Sequence, residues 1–238
     1  LAFVYNVDDF YWRDGIWAAV EEIKKNKGWE VIKINLYNDI EADLKNLDVD
    51  FVLVWGAFLS PHAERVKNLP HKKGICVAGG PFDLTDAKLF DKIFVETPWY
   101  AKVWRKFGFG TTVAFGTNTN LFKPMPEQTK VFDYIYPAAF AAWKQHQVFC
   151  RYPGRKLAVG QIQENGVDQW CWEVCLKAGV TVMPLVRPEA LVWLYNASRN
   201  VGITAGIEGG GERAVLEGLA CGLNVKVESG NEILVRLL

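Results

Sequence analysis

Residues 204–222 read TAGIEGGGERAVLEGLACG and carry the densest chemistry in the chain. Three consecutive glycines, Gly209, Gly210 and Gly211, lie between the carboxylates Glu208 and Glu212, with Arg213 next and Glu217 further on. Apolar residues precede the loop and an amphipathic run follows it, so the spacing predicts a strand, a glycine-rich loop and a helix closing at Gly222. The first N–H groups of a helix have no partner inside it, and the helix dipole adds positive charge there, which suits a phosphate. Glu217 would stand about one turn inside, where a carboxylate can accept two hydroxyls of a ribose held beside the phosphates. The stretch therefore reads as a nucleotide site. It also reads as turn chemistry before a packing helix, with Ala214, Val215, Leu216, Leu219 and Ala220 as the packing residues.

Parallel sheets must position these residues. Apolar runs at 1–7, 30–36, 51–56, 74–80 and 92–96 alternate with helical patterns, the first at 15–25. A helix is expected over 98–107, with Pro98 near its start, and a strand over 111–115. Residues 123–129, with two prolines and mixed polarity, read as a linker. The alternation then restarts, with strands at 132–136, 157–162, 180–186, 200–204 and 224–227 and helices at 143–152, 167–178, 188–197 and 213–220. It predicts an α/β protein of two doubly wound, Rossmann-like domains, 1–120 and 121–238. Ligands of such sheets sit at the carboxyl ends of the strands, which singles out the loops at 8–15, 55–62 and 79–83. In the first, Asp14 suits a helix cap and Gly15 a close approach to a ligand. Trp55 and His62 bound the second, and the third reads GGPFD.

Composition narrows the function classes. Of 238 residues half are apolar, while Lys+Arg and Asp+Glu both total 27, so no net charge argues for nucleic acid or a membrane surface. No apolar run approaches the ~18 residues that span a bilayer, and no secretory signal opens the chain. It begins at Leu1 without an initiator Met, consistent with removal of something upstream. Five cysteines, an odd number in mostly apolar surroundings, argue for reduced thiols and a cytoplasmic setting. Cys171 and Cys175 are one helical turn apart, but no nearby pair completes a metal site, so no metal is expected. Ten Trp are available to line a sugar site or to fill cores and interfaces.

The 204–222 stretch resembles the donor-sugar motif of GT-B glycosyltransferases, family 4 in particular, whose pattern is roughly E-G-F-G-L-P-L-L-E-A-M-A-C-G. In that family the first glutamate contacts the donor sugar and the second, matching Glu217, contacts the ribose. Eight residues separate Glu208 from Glu217 here and usually seven in the family, so either Glu208 or Glu212 is the candidate for the sugar. Glu208 is expected to point to the ligand, because it follows the strand end, and Glu212 to face solvent or pair with a basic side chain. Gly116, Phe122 and Pro124 resemble the family's hinge, with Asn118 where aspartate is usual. The passage YPAAFAAWKQHQVF stands where the family has G-R-x-x-x-x-K-G. Lys144 matches the lysine that neutralises the donor diphosphate, His146 follows it, and the arginine position falls on Ala138 or Ala139. Arg213 is the candidate to supply that charge. Leu185, Val186 and Arg187 occupy the turn whose backbone pairs with the base.

The resemblance implies a metal-independent, retaining transfer of a sugar from a nucleotide-sugar donor to an acceptor hydroxyl, in a crevice between the domains. It assigns catalysis to Lys144, Arg213 and Glu208, and donor binding also to Gly15, Val186, Gly209, Gly210, Gly211, Glu212 and Glu217. Trp55 and His62 fall on the acceptor side. No cofactor beyond the nucleotide-sugar co-substrate is implied. The family's C-terminal helices that return to the first domain are expected to be short or absent. Two other classes stay open: a non-catalytic nucleotide-binding module of this fold, and a sugar transferase acting on modified nucleic acid.

Overall fold

The computed structural model describes residues 1–5, 20–55, 59–77, 84–114, 116–162, 169–207, 210–228 and 230–238. The chain divides into two compact units, Leu1–Phe115 and Gly116–Leu238. Each is a parallel α/β layer structure.

The first unit is built on β1 (Ala2–Tyr5), β2 (Ile32–Asn35), β3 (Phe51–Trp55), β4 (Lys72–Val77), β5 (Lys92–Val95) and β6 (Thr111–Val113), in the order β2-β1-β3-β4-β5-β6. All described pairings in it are parallel. The four residues of β1 are at most 2% exposed, as a strand covered on both faces must be. Its helices are α1 (helical over the described residues 20–27), α2 (Ile40–Leu44), α3 (Leu59–Val66), α4 (Leu84–Ala87) and α5 (Pro98–Arg105). Side chains cap two of them: Asp39 accepts from the Ala42 N–H at 3.1 Å, and Thr97 from the Tyr100 N–H at 3.2 Å, just ahead of Pro98.

The second unit holds β7 (Phe132–Pro137), β8 (Lys156–Gly160), β9 (Thr181–Pro184), β10 (Ser198–Ile203) and β11 (Asn224–Val227), in the order β11-β10-β7-β8-β9, again parallel. Its helices are α6 (His146–Phe149), α7 (Gln169–Lys177), α8 (Pro188–Asn196), α9 (Glu212–Ala220) and α10 (Glu232–Val235). From β7 the chain winds outward through β8 and β9, then returns to lay β10 on the other side of β7. The strand order therefore reverses between β7 and β10, and the loops leaving these two strands flank the place where such sheets bind ligands.

Two expectations are corrected. Residues 123–129 do not act as a free linker. Asn196 in α8 accepts from the Met125 N–H at 2.7 Å and donates to the Lys123 carbonyl at 3.0 Å, and buried Phe122 meets Tyr195 edge to face. Residues 143–152 are not one helix either. A 3₁₀ turn at Ala142–Lys144 ends on Gln145, at φ 53° and ψ 48°, and the single-turn α6 follows. A left-handed residue cannot continue a helix, and one hydroxyl from β7 and another from just past β10 hold the chain in this break.

Candidate nucleotide site

The break places Lys144. The Tyr136 hydroxyl, near the end of β7, donates to the Lys144 carbonyl at 2.8 Å, and the Thr204 hydroxyl, just past β10, lies 3.0 Å from the same carbonyl and 3.1 Å from that of Gln145. The Gly206 N–H reaches the Trp143 carbonyl at 3.4 Å. Asn231 holds the far side of the loop by donating to the Ala205 and Gly206 carbonyls at 3.1 and 2.9 Å. The turn after β7 is thus fastened to the loop after β10, across the switch point.

The glycines are required where they are described. Gly210 has φ 65° and Gly211, the N-cap of α9, has φ 129°, conformations open to glycine and costly for other residues. A Cβ on Gly210 would stand 3.3 Å from Lys144 Nζ and 3.5 Å from Glu212 Oε2. One on Gly211 would meet Ile203 and Leu234 side-chain atoms at 3.0 Å. The lysine ammonium, the glycine loop and the start of α9 thereby converge.

Glu217 lies on the buried face of α9. The Tyr195 hydroxyl of α8 donates to its Oε2 at 3.0 Å, and Arg213 Nε lies 4.0 Å from its Oε1. Burial pushes its carboxyl up to about 7, with the Arg213 charge and the Tyr195 hydrogen bond pulling the other way. Glu212, expected to face solvent or pair with a basic side chain, does not face solvent: it is 3% exposed, beside the space that Lys144 Nζ enters. Its side chain turns back toward Gly210. Arg213 is partly buried against Glu217.

His146 is fully buried, stacked on Phe140 with centroids 4.7 Å apart at 22°, and neither ring nitrogen has a hydrogen-bond partner among the described residues. Burial first, and the Lys144 charge second, push its imidazole down to about 4, so it is a neutral core group at physiological pH. Val186 is partly buried against the second core, in the turn between β9 and α8. Trp55 ends β3 half-buried and packs on the cluster of Phe3, Tyr5, Val20 and Val31. Gly15, Glu208 and Gly209, and with them the loops at 8–15 and 79–83, lie outside the described residues, as does the side chain of His62 in α3. Cys150 Sγ is 3.9 Å from Cys175 Sγ, and among the described residues no His, Cys, Asp and Glu group forms a metal site.

Three residues that build the site have no earlier role in the reading. Thr204 and Tyr136 act through single hydroxyls on a backbone 60 and 8 residues away, which no local pattern encodes. Tyr195 is a fully buried core residue whose hydroxyl holds Glu217. Its spacing from Glu217 across two helices becomes visible only once both pack.

No protein-family model matches the chain, and no curated protein matches it in sequence. Solved structures match over its full length. Sucrose-phosphate synthase from Thermosynechococcus elongatus has a TM-score of 0.72 at 13% identity, covering 100% of this chain and 83% of that one. HepE from Anabaena, in complex with UDP and glucose, has a TM-score of 0.64 at 12% identity, covering 100% and 83%. An α-glucosyltransferase in complex with UDP and a 13-mer DNA has 0.63 at 9%, covering 97% and 80%. The chain has the GT-B fold of these glycosyltransferases, two Rossmann-like α/β domains. No helix among the described residues is long and apolar enough to cross a membrane.

Proposed function

We propose that the protein is a glycosyltransferase that moves a sugar from a nucleotide-sugar donor to an acceptor hydroxyl, with retention and without a metal. The observation that carries this reading is the meeting of Lys144 Nζ with the glycine loop ahead of α9 at the switch point, with buried Glu217 further along the same helix. UDP stands as the donor nucleotide because HepE and the α-glucosyltransferase were solved with it. Lys144, Arg213 and the first N–H groups of α9 neutralise the leaving diphosphate, an effect strengthened where water is excluded. Glu217 accepts the ribose hydroxyls, the backbone at Val186 meets the base, and Glu208 or Glu212 orients the sugar. Gly210 and Gly211 let backbone approach the donor closely; the family resemblance alone assigns Gly15 and Gly209 to the donor and Trp55 and His62 to the acceptor. Incubation with a panel of nucleotide sugars is expected to release nucleoside diphosphate, and Lys144→Ala to slow that release about a hundredfold. Tight nucleotide binding with no release from any donor would instead support a non-catalytic module, the reading that alanine at both 138 and 139 keeps open. Absence of both binding and release would sink the proposal.

A further inference from the structure

Glu212 is an unexpected group for a phosphate site. It opens α9, it is 3% exposed, and its Oε2 comes within 3.5 Å of a point that Lys144 Nζ approaches to 3.3 Å. A helix N-terminus favours anions, and here the chain has already placed one of its own beside the lysine assigned to the diphosphate. Resting on that assignment, we infer that Glu212 discriminates by charge between the bound donor and the nucleoside diphosphate left after transfer, and so favours release of that product.

The chemistry of transfer supplies the difference. In the donor, the outer phosphate is esterified to the sugar and carries one negative charge. When the bond between the anomeric carbon and the phosphate oxygen breaks, its electron pair stays on that oxygen, which takes up the proton of the acceptor hydroxyl as the hydroxyl oxygen forms the new bond to carbon; the proton is then lost to solvent. The outer phosphate is then a terminal group whose second ionisation lies near pH ~6, so at neutral pH it gains charge that the donor lacked. Lys144 attracts that added charge and Glu212 repels it. A carboxylate this buried is poorly screened by solvent. At an effective dielectric of about 20, each unit charge on the order of 10 Å away changes affinity about tenfold. The donor's singly charged outer phosphate is repelled less, and a neutral nucleoside is not repelled at all. Glu212 thereby slows the step that develops the charge and speeds the departure of the group that carries it, leaving Lys144 and the α9 N–H groups to hold the donor.

The test compares affinities of wild type, Glu212→Gln and Glu212→Asp for UDP, UDP-glucose and uridine by calorimetry at pH 7.5. Glutamine keeps the shape and removes the charge. It is expected to tighten UDP-glucose about tenfold, UDP about a hundredfold, and uridine not at all. Aspartate, which keeps the charge, is expected to retain the wild-type ratio of UDP to UDP-glucose affinity. Weaker UDP-glucose binding by Glu212→Gln with UDP unchanged would overturn the inference and make Glu212 a holder of sugar hydroxyls. Unchanged affinities for all three, with altered melting, would overturn it in favour of a capping role. A wild-type protein that binds none of the three removes the underlying assignment, an outcome the wild-type measurement shows before any variant is compared.

Discussion

A carboxyl group that keeps its proton to about pH 7 lowers the stability of the fold that holds it, and Glu217 is such a group. The unfolded chain releases this proton near 4.5, so the favourable contribution of the protonated group is complete below that pH and is lost as pH rises to about 7. The loss amounts to on the order of 3 kcal/mol. His146 works in the opposite sense: its folded value near 4 lies below the ordinary 6.5, so stability present above 6.5 is lost as pH falls toward 4. The two slopes oppose each other between about pH 4.5 and 6.5, and the wild-type profile alone hides both. Glu217→Gln separates them. It is expected to melt above wild type at pH 8, with the gap closing by pH 4, and to bind UDP more weakly by about 1.5–3 kcal/mol. A variant no more stable than wild type at pH 8 would mean that Glu217 is hydrated in the fold. With that outcome, stability and ligand affinity pull apart at one residue, as expected where a polar group is buried for use and not for packing.

At the level of elements, the site depends on joining two loops that are far apart in sequence. Thr204 closes β10 onto the turn after β7 through one hydroxyl shared between the Lys144 and Gln145 carbonyls. Thr204→Val keeps the shape and removes that hydroxyl. It leaves the left-handed Gln145 with an unmade hydrogen bond, and the urea midpoint is expected to report a loss of about 1–3 kcal/mol. Because Lys144 keeps its bond from Tyr136, the fold survives while the ammonium loses part of its anchorage. UDP affinity is therefore expected to fall more than uridine affinity. An equal fall for both would show that the hydroxyl supports the unit generally and not the lysine. The same logic accounts for Gly218 in α9, where a Cβ would stand 2.6 Å from a Val201 methyl: the helix lies that close to β10, and Glu217 is carried inward with it.

For the whole molecule, the division at Phe115 and Gly116 gives each unit its own sheet. The second also has a continuous core running from Phe122 to Leu234. Residues 116–238 alone are accordingly expected to unfold cooperatively in urea and to keep the Glu217-dependent pH slope. A gradual, non-cooperative transition of the excised unit would show that its stability is borrowed. Nucleotide binding by this unit alone would locate the donor residues within it.

Much of this architecture was legible in the order of residues, because a strand buried on both faces must be apolar throughout and a helix start must be capped. The strands at 51–56 and 92–96 and the proline-led α5 follow from those local demands, and they, the strand at 224–227 and the helix after Gly211 appear within a residue or two of their expected limits. Glu217, too, lies inside α9 about where its spacing put it. Lys144 was matched by position, but the helix expected around it is broken, because Gln145 carries no left-handed signature and the hydroxyls holding it come from Tyr136 and Thr204. The inward turn of Glu212, the grip of Tyr195 on Glu217 and the burial of His146 between aromatic rings were likewise decided only in three dimensions. Each depends on which chain segments the strand order places side by side. Local sequence determines what a segment becomes, and the reversal of strand order between β7 and β10 determines which segments meet.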